Sequence, residues 1–281
     1  MDIFGPVLPA PSVIVRTHNS ARTVGKLLDD LAAQTVAHEL IVVDSGSTDG
    51  TLALVGRRCD RLVELPAAEY RPGRALNVGT AAAAGAIVFA VSSHCRLPRA
   101  EWIERASALY ADPRVAGTNG ATRDRFGAPL HGVHLQVAAD VRANPYWGFS
   151  NHAASWRRSV WAEHGFSESL PTAEDKEWAL RVLEAGWSLA YHPALEVAMD
   201  HRWRQGTVHF LRRERHEAIA LGSFLELSPY GVRELAAEWW RPPNPRHALT
   251  RERLNPRRIA GLVGRYLGHR AVARTHPPAR G

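Results

Sequence analysis

The chain has 281 residues, 45% of them hydrophobic and 22% charged, which suffices for one large domain or a domain with an appendage. No apolar run is long enough to cross a bilayer, residues 1–11 lack the basic start and apolar middle of a signal peptide, and two cysteines, Cys59 and Cys95, exclude a disulfide framework or a thiolate metal cluster. The net charge of +7 is uneven, because residues 241–281 carry ten arginines against one acid, Glu252, and leave the first 240 residues at −2. A cytoplasmic chain with a nearly neutral body is expected, its basic tail suited to an anionic membrane surface, nucleic acid or an acidic partner, or simply solvated.

Ser12 to Thr17 is a β-branched run that predicts a buried strand, and His18-Asn19-Ser20 breaks it. After Ser20, Val24, Leu27, Leu28 and Leu31 share one helical face. A second strand, Leu40 to Val43, ends in the turn-and-cap run Asp44 to Thr51, which opens a helix at Leu52 to Val55. Leu62 to Leu65 is a third strand candidate, Ala75 to Ala84 a helix, and Ile87 to Val91 a fourth strand. Glu101 to Ala111 has a helical pattern, and Val115 to Thr118 suggests another strand. Alternation of this kind indicates an α/β fold, a mostly parallel sheet with helices on both faces.

The second half is less regular. Asn144 to Asn151 is an aromatic, turn-rich loop, Trp156 to His164 a helix candidate, and Thr172-Ala-Glu-Asp175 precedes a helix from Lys176 to Ala185. Gly206 to Leu221 reads as a basic helix carrying Arg212, Arg213 and Arg215. Composition changes near Pro242, where a boundary is expected. Beyond it, Ile259, Leu262, Val263, Tyr266 and Leu267 make an apolar stripe flanked by arginines, the pattern either of an interfacial helix or of one docked on the body.

Ligands of open α/β sheets sit beyond the carboxyl ends of strands. Three polar clusters fall at such ends: Thr17 to Asn19, Asp44 to Asp49, and Ser92-Ser93-His94. Each has an ordinary reading as turn, cap or satisfied histidine. Their convergence on one edge favours a site. The Asp44 carboxylate suits a base or ribose, and Arg74 at a helix start suits a diphosphate.

The segments Val13 to Asn19, Leu40 to Thr51, Arg74-Ala-Leu-Asn77 and Glu174-Asp175-Lys-Glu-Trp178 together resemble the successive motifs of family 2 glycosyltransferases, over about Pro11 to Arg204. The resemblance implies the GT-A fold, a nucleotide-diphosphate sugar donor and inversion at the anomeric carbon. It implies a nucleotide-sugar site of Thr17, Asn19, Asp44, Asp49, Arg74, Asn77, Ser92 and Ser93, and an acidic pair, Glu174 and Asp175, with the aspartate as general base. Acids in a first helical turn also suit the helix dipole, and both roles can hold. Tyr146, Trp147, Phe149, Asn151 and His152 are then expected on the acceptor side. The implied layout is a GT-A domain over 1–240, with a nucleotide-sugar half at about 11–120 and an acceptor half at 121–240, followed by a basic extension over 241–281.

One departure concerns the metal. Where the family places Asp-x-Asp, this chain has Ser92-Ser93-His94, so His94 stands in the last position, and His201 stands where relatives supply a late histidine. The implied cofactor is a divalent cation on His94, His201 and the diphosphate, with Mn2+ favoured over Mg2+. The acceptor is a hydroxyl-bearing small molecule, lipid-linked intermediate or polysaccharide, the tail contacts the membrane peripherally, and nucleic acid is not expected. A nucleotidyl transferase would need glycine and lysine after the first strand, and Arg16 to Ala21 has neither. The alternative is an inactive nucleotide-binding protein whose tail binds membrane or nucleic acid; it predicts that deleting the tail, and not changing Asp175, abolishes function.

Overall fold

A computed structural model describes residues 10–122, 128–199, 206–240 and 254–275. Its residues gather into two units, Met1–Asp200 and His201–Gly281, dividing well before the change in composition at Pro242. The first half of the chain runs β1 (Ser12–Thr17), α1 (Val24–Ala32), β2 (Glu39–Asp44), α2 (Thr51–Val55), β3 (Arg61–Glu64), α3 (Pro72–Ala82), β4 (Ile87–Ser92), β5 (Cys95–Arg96), α4 (Trp102–Ala108) and β6 (Val115–Gly120). It continues with β7 (His134–Gln136), α5 (Ala138–Ala143), β8 (Ala153–Arg157), α6 (Arg158–Glu163), α7 (Glu174–Glu184), β9 (Ser188–His192) and β10 (Ala198–Met199).

The β-branched runs are the strands they promised to be. β3, β2, β1 and β4 lie side by side and parallel, within an eight-stranded order β3-β2-β1-β4-β8-β6-β9-β7. The connection from β1 goes to β2 on one side, while β4 lies on the other, so the β1/β4 boundary is a topological switch point where loops part and leave a crevice. Alternate residues of each strand feed opposite layers. Val13, Val15, Val42, Phe89 and Val91 pack with Leu27, Leu28 and Leu31 of α1 and Trp102 and Ile103 of α4. On the other side α3 lies so close that a Cβ on Gly79 would come within 2.8 Å of Ile14 and 3.1 Å of Val43.

β8 corrects the reading of Trp156 to His164 as one helix. Ala153–Arg157 is a strand, antiparallel to both β4 and β6, and the helix starts only at Arg158. Small residues on both faces hid its alternation, because Ala153, Ala154 and Ser155 give no contrast between apolar and polar. Of the seven pairings in the large sheet, four are parallel and three, β4/β8, β8/β6 and β9/β7, are antiparallel. The sheet is mixed and mostly parallel.

The second unit contains α8 (Thr207–Leu221), α9 (Val232–Trp240) and α10 (Pro256–Thr275). Glycines on α10 let it pack closely on α8: a Cβ on Gly264 would lie 2.2 Å from the Leu211 carbonyl oxygen, and one on Gly268 2.7 Å from that of Arg215. Arg265 joins all three helices, reaching Glu214 at 2.9 Å and Glu238 at 2.6 Å. The apolar stripe is divided, with Leu262 buried but Ile259 and Leu267 exposed, and Arg212, Arg213 and Arg215 lie on an exposed face of α8. No helix among the described residues is long and apolar enough to cross a membrane.

An aromatic cluster fixes α7 beneath the large sheet. Trp178 lies 5.0 Å from Phe149, 5.1 Å from Phe166 and 6.4 Å from Trp156 between ring centroids, and its indole N–H donates to the His164 carbonyl at 2.6 Å. Replacing Trp178 with alanine removes a fully buried indole and leaves that carbonyl unpaired. A loss of about 3–5 kcal/mol is expected from urea unfolding, with Trp178→Phe losing less.

Candidate active site

The loops after β1 and β2 are tied to each other before any ligand is considered. Asp44 is buried, and a buried carboxylate must be fed by donors. Its oxygens accept from Thr17 Oγ1 at 2.6 Å, Ser47 Oγ at 2.6 Å, and the N–H groups of Gly46 and Ser47 at 3.0 and 2.8 Å. Asn19 is exposed and takes a left-handed backbone, φ +47°, which asparagine tolerates better than most residues. Its backbone N–H donates to Ser47 Oγ, and its Oδ1 accepts from Thr48 N–H, both at 2.8 Å. Asp49 accepts from Thr51 Oγ1 at 2.5 Å and Ala21 N–H at 3.1 Å. The Thr51 hydroxyl is the first cause of its lowered pKa.

At the start of α3, Arg74 lies between Glu69 at 2.6 Å and Glu168 at 3.4 Å, partly exposed. Asn77 faces a different task from the sugar contact expected of it. Its Nδ2 donates to Phe166 O and Glu168 Oε1, and its Oδ1 accepts from Trp161 Nε1 and Phe166 N–H, all at 2.8–2.9 Å. Both donors and both acceptor positions of the amide are spent on holding the 166–168 loop. Gly73 allows that loop in, because a Cβ there would lie 2.0 Å from the Ser167 carbonyl oxygen.

β4 ends at Ser92, and Ser93-His94 form the turn into β5. Ser93 Oγ meets Ser20 Oγ at 2.8 Å, which links the ends of β4 and β1 across the switch point. The His152 carbonyl accepts from Ser92 N–H at 2.8 Å and Cys95 Sγ at 3.3 Å, so His152 supports the turn, while its ring Nδ1 pairs with Ser150 Oγ at 2.6 Å. His94 is half-buried there. His201 lies outside the described residues. Among the described residues, no group of three or more His, Cys, Asp or Glu side chains is placed to hold a metal ion.

The acidic pair opens α7. Ala173, just before it, adopts φ +62°, an unusual backbone for a residue with a Cβ and one that concentrates at functional sites. Glu174 is buried and Asp175 half-buried. Asp175 accepts from Lys176 N–H at 2.8 Å and Asn151 N–H at 3.2 Å, while Glu174 accepts from Asn151 Nδ2. Burial pushes the Glu174 carboxyl up to about 7; neighbouring Asp175 adds to the shift and Arg16 opposes it. Arg16 reaches the pair from β1 by donating to Asn151 Oδ1 at 2.8 Å.

The aromatic loop divides its residues. Trp147 is half-buried, 4.9 Å from Tyr191 and 5.5 Å from His134 between ring centroids, and Tyr146 is also partly exposed. Phe149, expected on the acceptor side, is instead fully buried against Trp178, and its ring takes up space that a Cβ on Gly117 would crowd. Asn151 joins the acidic pair to β1. Tyr191 donates to Gln136 Oε1 at 2.5 Å, and burial, then the Asp175 carboxylate, hold its phenol well above the usual range. Arg16, Gln136 and Tyr191 belong to the same neighbourhood without being among the site residues that the motifs implied. The available signal was Arg16 itself, a cation within an otherwise β-branched strand that has to find acceptors.

A mixed, mostly parallel α/β sheet whose polar strand ends meet at the switch point, with an acidic pair bound to the same edge, is the architecture of GT-A glycosyltransferases. The fold is shared with the mannosyltransferase PcManGT from Pyrobaculum calidifontis, solved with GDP-Man and Mn2+, at a TM-score of 0.66 and 22% identity, covering 98% of this chain and 89% of that one. It is shared also with TarS 1-349 of S. aureus in complex with UDP, at a TM-score of 0.55 and 20% identity, covering 82% and 69%. Residues 12–167 match the model of glycosyl transferase family 2, and the chain belongs to that family. The O-antigen chain rhamnosyltransferase RfbN of Salmonella typhimurium is 25% identical over 79% of this chain and 74% of its own length. The pre-mycofactocin glycosyltransferase of Mycobacterium tuberculosis is 30% identical over 70% of this chain, which spans 44% of that relative. The protein is a glycosyltransferase, as the motifs implied.

Glu174 gives stability a definite pH dependence. Between its ordinary value of 4.5 and about 7, the folded protein holds a proton that the unfolded chain has released, so its contribution to stability falls as pH rises through that window. Glu174→Gln keeps a hydrogen-bond acceptor and abolishes the titration. Urea unfolding at pH 5, 6.5 and 8 is expected to show the variant gaining on the wild type with pH, by at most about 3 kcal/mol.

Proposed function

We propose that this glycosyltransferase moves a sugar from a nucleotide-diphosphate donor to an acceptor hydroxyl with inversion, and that Asp175 is the general base. The observation that carries this reading is the asymmetry of the pair. Asp175 is only half-buried and accepts from two backbone N–H donors, whereas Glu174 is buried. A base needs access to the proton it removes, and only Asp175 has it. The acceptor oxygen then attacks the anomeric carbon from the face opposite the diphosphate, and the bond to the diphosphate breaks as negative charge gathers there.

The nucleotide lies along the β1 and β2 ends, by Thr17, Asn19, Asp44 and Asp49, and the diphosphate lies by Ser92, Ser93 and Arg74. Exposed ion pairs contribute only about 0–1 kcal/mol each, so Arg74 can exchange Glu69 and Glu168 for phosphate oxygens at small cost. A cation there would bring its own phosphate ligands and take one protein donor among the described residues, the His94 imidazole, since the Ser92 and Ser93 hydroxyls are engaged with Arg16 and Ser20. His94, with His201, would hold Mn2+ in preference to Mg2+, and the cation would supply charge stabilisation to the departing diphosphate. PcManGT, crystallised with GDP-Man and Mn2+, supports both the donor class and the metal.

Tyr146, Trp147, Asn151 and His152 form the acceptor side, with Phe149 behind them. The name of RfbN supports a saccharide-bearing acceptor. The domain plan is a cytoplasmic catalytic domain and a basic extension over 241–281, whose +9 charge suits peripheral contact with an anionic membrane holding a lipid-linked acceptor.

Calorimetric titration with UDP, GDP and dTDP, each with Mn2+, Mg2+ or chelator, is expected to reveal one tight nucleotide whose binding weakens with chelator and with His94→Ala. With the matching sugar donor, Asp175→Asn is expected to lower turnover by about 10²–10⁴ while nucleotide affinity is kept. Full transfer by Asp175→Asn would remove Asp175 as the base.

A further inference from the structure

Arg16 occupies a buried strand, yet among the described residues it forms no ion pair. Its Nη2 donates instead to Ser92 Oγ at 3.3 Å, to the Asn151 carbonyl at 3.1 Å and to Asn151 Oδ1 at 2.8 Å. A guanidinium can only donate, so the Asn151 amide must turn its oxygen toward Arg16 and its NH2 away. That NH2 meets Glu174, and the backbone N–H of the same residue meets Asp175 Oδ2 at 3.2 Å. One asparagine therefore contacts both carboxylates, and one arginine on another element sets its orientation.

We propose that Asn151, pinned by Arg16, is the positioning residue of the acidic pair, aiming the Asp175 carboxylate and holding Glu174 in place beneath it. The assignment rests on the transfer mechanism proposed above. Two further features agree with it. Ser92 at the end of β4 shares the same Nη2, so the clamp spans from the diphosphate edge to the base. Ala173 leaves the ordinary helical backbone at the entry to α7, which lets two consecutive acids point toward the 151 loop. The charged and titratable groups around Glu174 are Asp175 on its own helix and Arg16 from β1, with Tyr191 from β9 beyond Asp175. Of these charged groups Arg16 favours the ionised form, and the Asn151 side-chain amide and a backbone N–H favour it as hydrogen-bond donors. Without the clamp, Glu174 keeps one backbone donor against burial and the Asp175 charge.

The test needs no substrate. The full chain is labelled with 13C at aspartate and glutamate carboxyls, its Glu174 resonance is identified by its loss in Glu174→Gln, and the titration is followed from pH 4.5 to 9. Arg16→Gln and Asn151→Ala are each expected to raise the Glu174 midpoint, by about one to three pH units for loss of the opposite charge, while Arg16→Lys stays nearer the wild-type value. A midpoint equal to wild type in both Arg16→Gln and Asn151→Ala, in samples with native spectra, overturns the assignment. Where Asn151→Ala does not fold, Asn151→Ser is read in its place against the same criterion. Failure of the mechanism itself is separately visible as Asp175→Asn retaining transfer.

Discussion

The arrangement of the site depends on one costly placement, a glutamate buried beside an aspartate and an arginine. A carboxylate removed from water is tolerated only with donors around it, and the alternative is to take up a proton. Asn151 gives Glu174 a hydrogen bond in either state, and Arg16 offers charge at one remove. Such a compromise leaves Glu174 pushed up to about 7, first by burial, so its proton stays near neutrality. The neighbouring Asp175 stands on two backbone N–H groups and remains the accessible member. Two adjacent acids thus acquire different environments from one helix turn and one loop.

The edge proposed for the donor is built on the opposite plan. There the polar residues satisfy one another: Thr17 and Ser47 feed Asp44, Ser20 meets Ser93, and Asn19 binds Thr48. Each of these bonds contributes only about 1 kcal/mol net, because water would otherwise serve the same groups. Together they preform the loop walls, so a nucleotide bound as proposed would meet an ordered rim and would not have to order it. Arg74 is the exchangeable part, since its partners are partly exposed carboxylates.

Much of the fold was legible because burial on both faces leaves a direct mark. Ser12–Thr17, Glu39–Asp44 and Ile87–Ser92 are β-branched runs, and their ends give the site edge at once. β8 was not legible, since small residues carry no period and its antiparallel place between β4 and β6 is a tertiary fact. Site residues divide in the same way. Thr17, Asp44 and Ser93 fall at the carboxyl ends of neighbouring strands, as the order of the elements implied. Asn77 and Phe149 have the right neighbourhood but the wrong orientation, one locked to the 166–168 loop and the other to Trp178. A residue type reports what a side chain can do, whereas its direction is set by partners far along the chain. Arg16 and Asn151, 135 positions apart, are the extreme case.

The position of the proposed base, Asp175, is finally a property of the core. α7 is held by Trp178, whose ring packs with Phe149 and Phe166 and near Trp156 of β8, and whose N–H is fastened to His164. Trp178 lies three residues after Asp175, nearly one helical turn, so a shift of the indole carries the acid pair with it. Phe149 belongs to the same cluster and lies two residues before Asn151. The helix that bears the carboxylates and the loop that contacts them are therefore anchored in the same aromatic contact, which keeps their relative placement fixed.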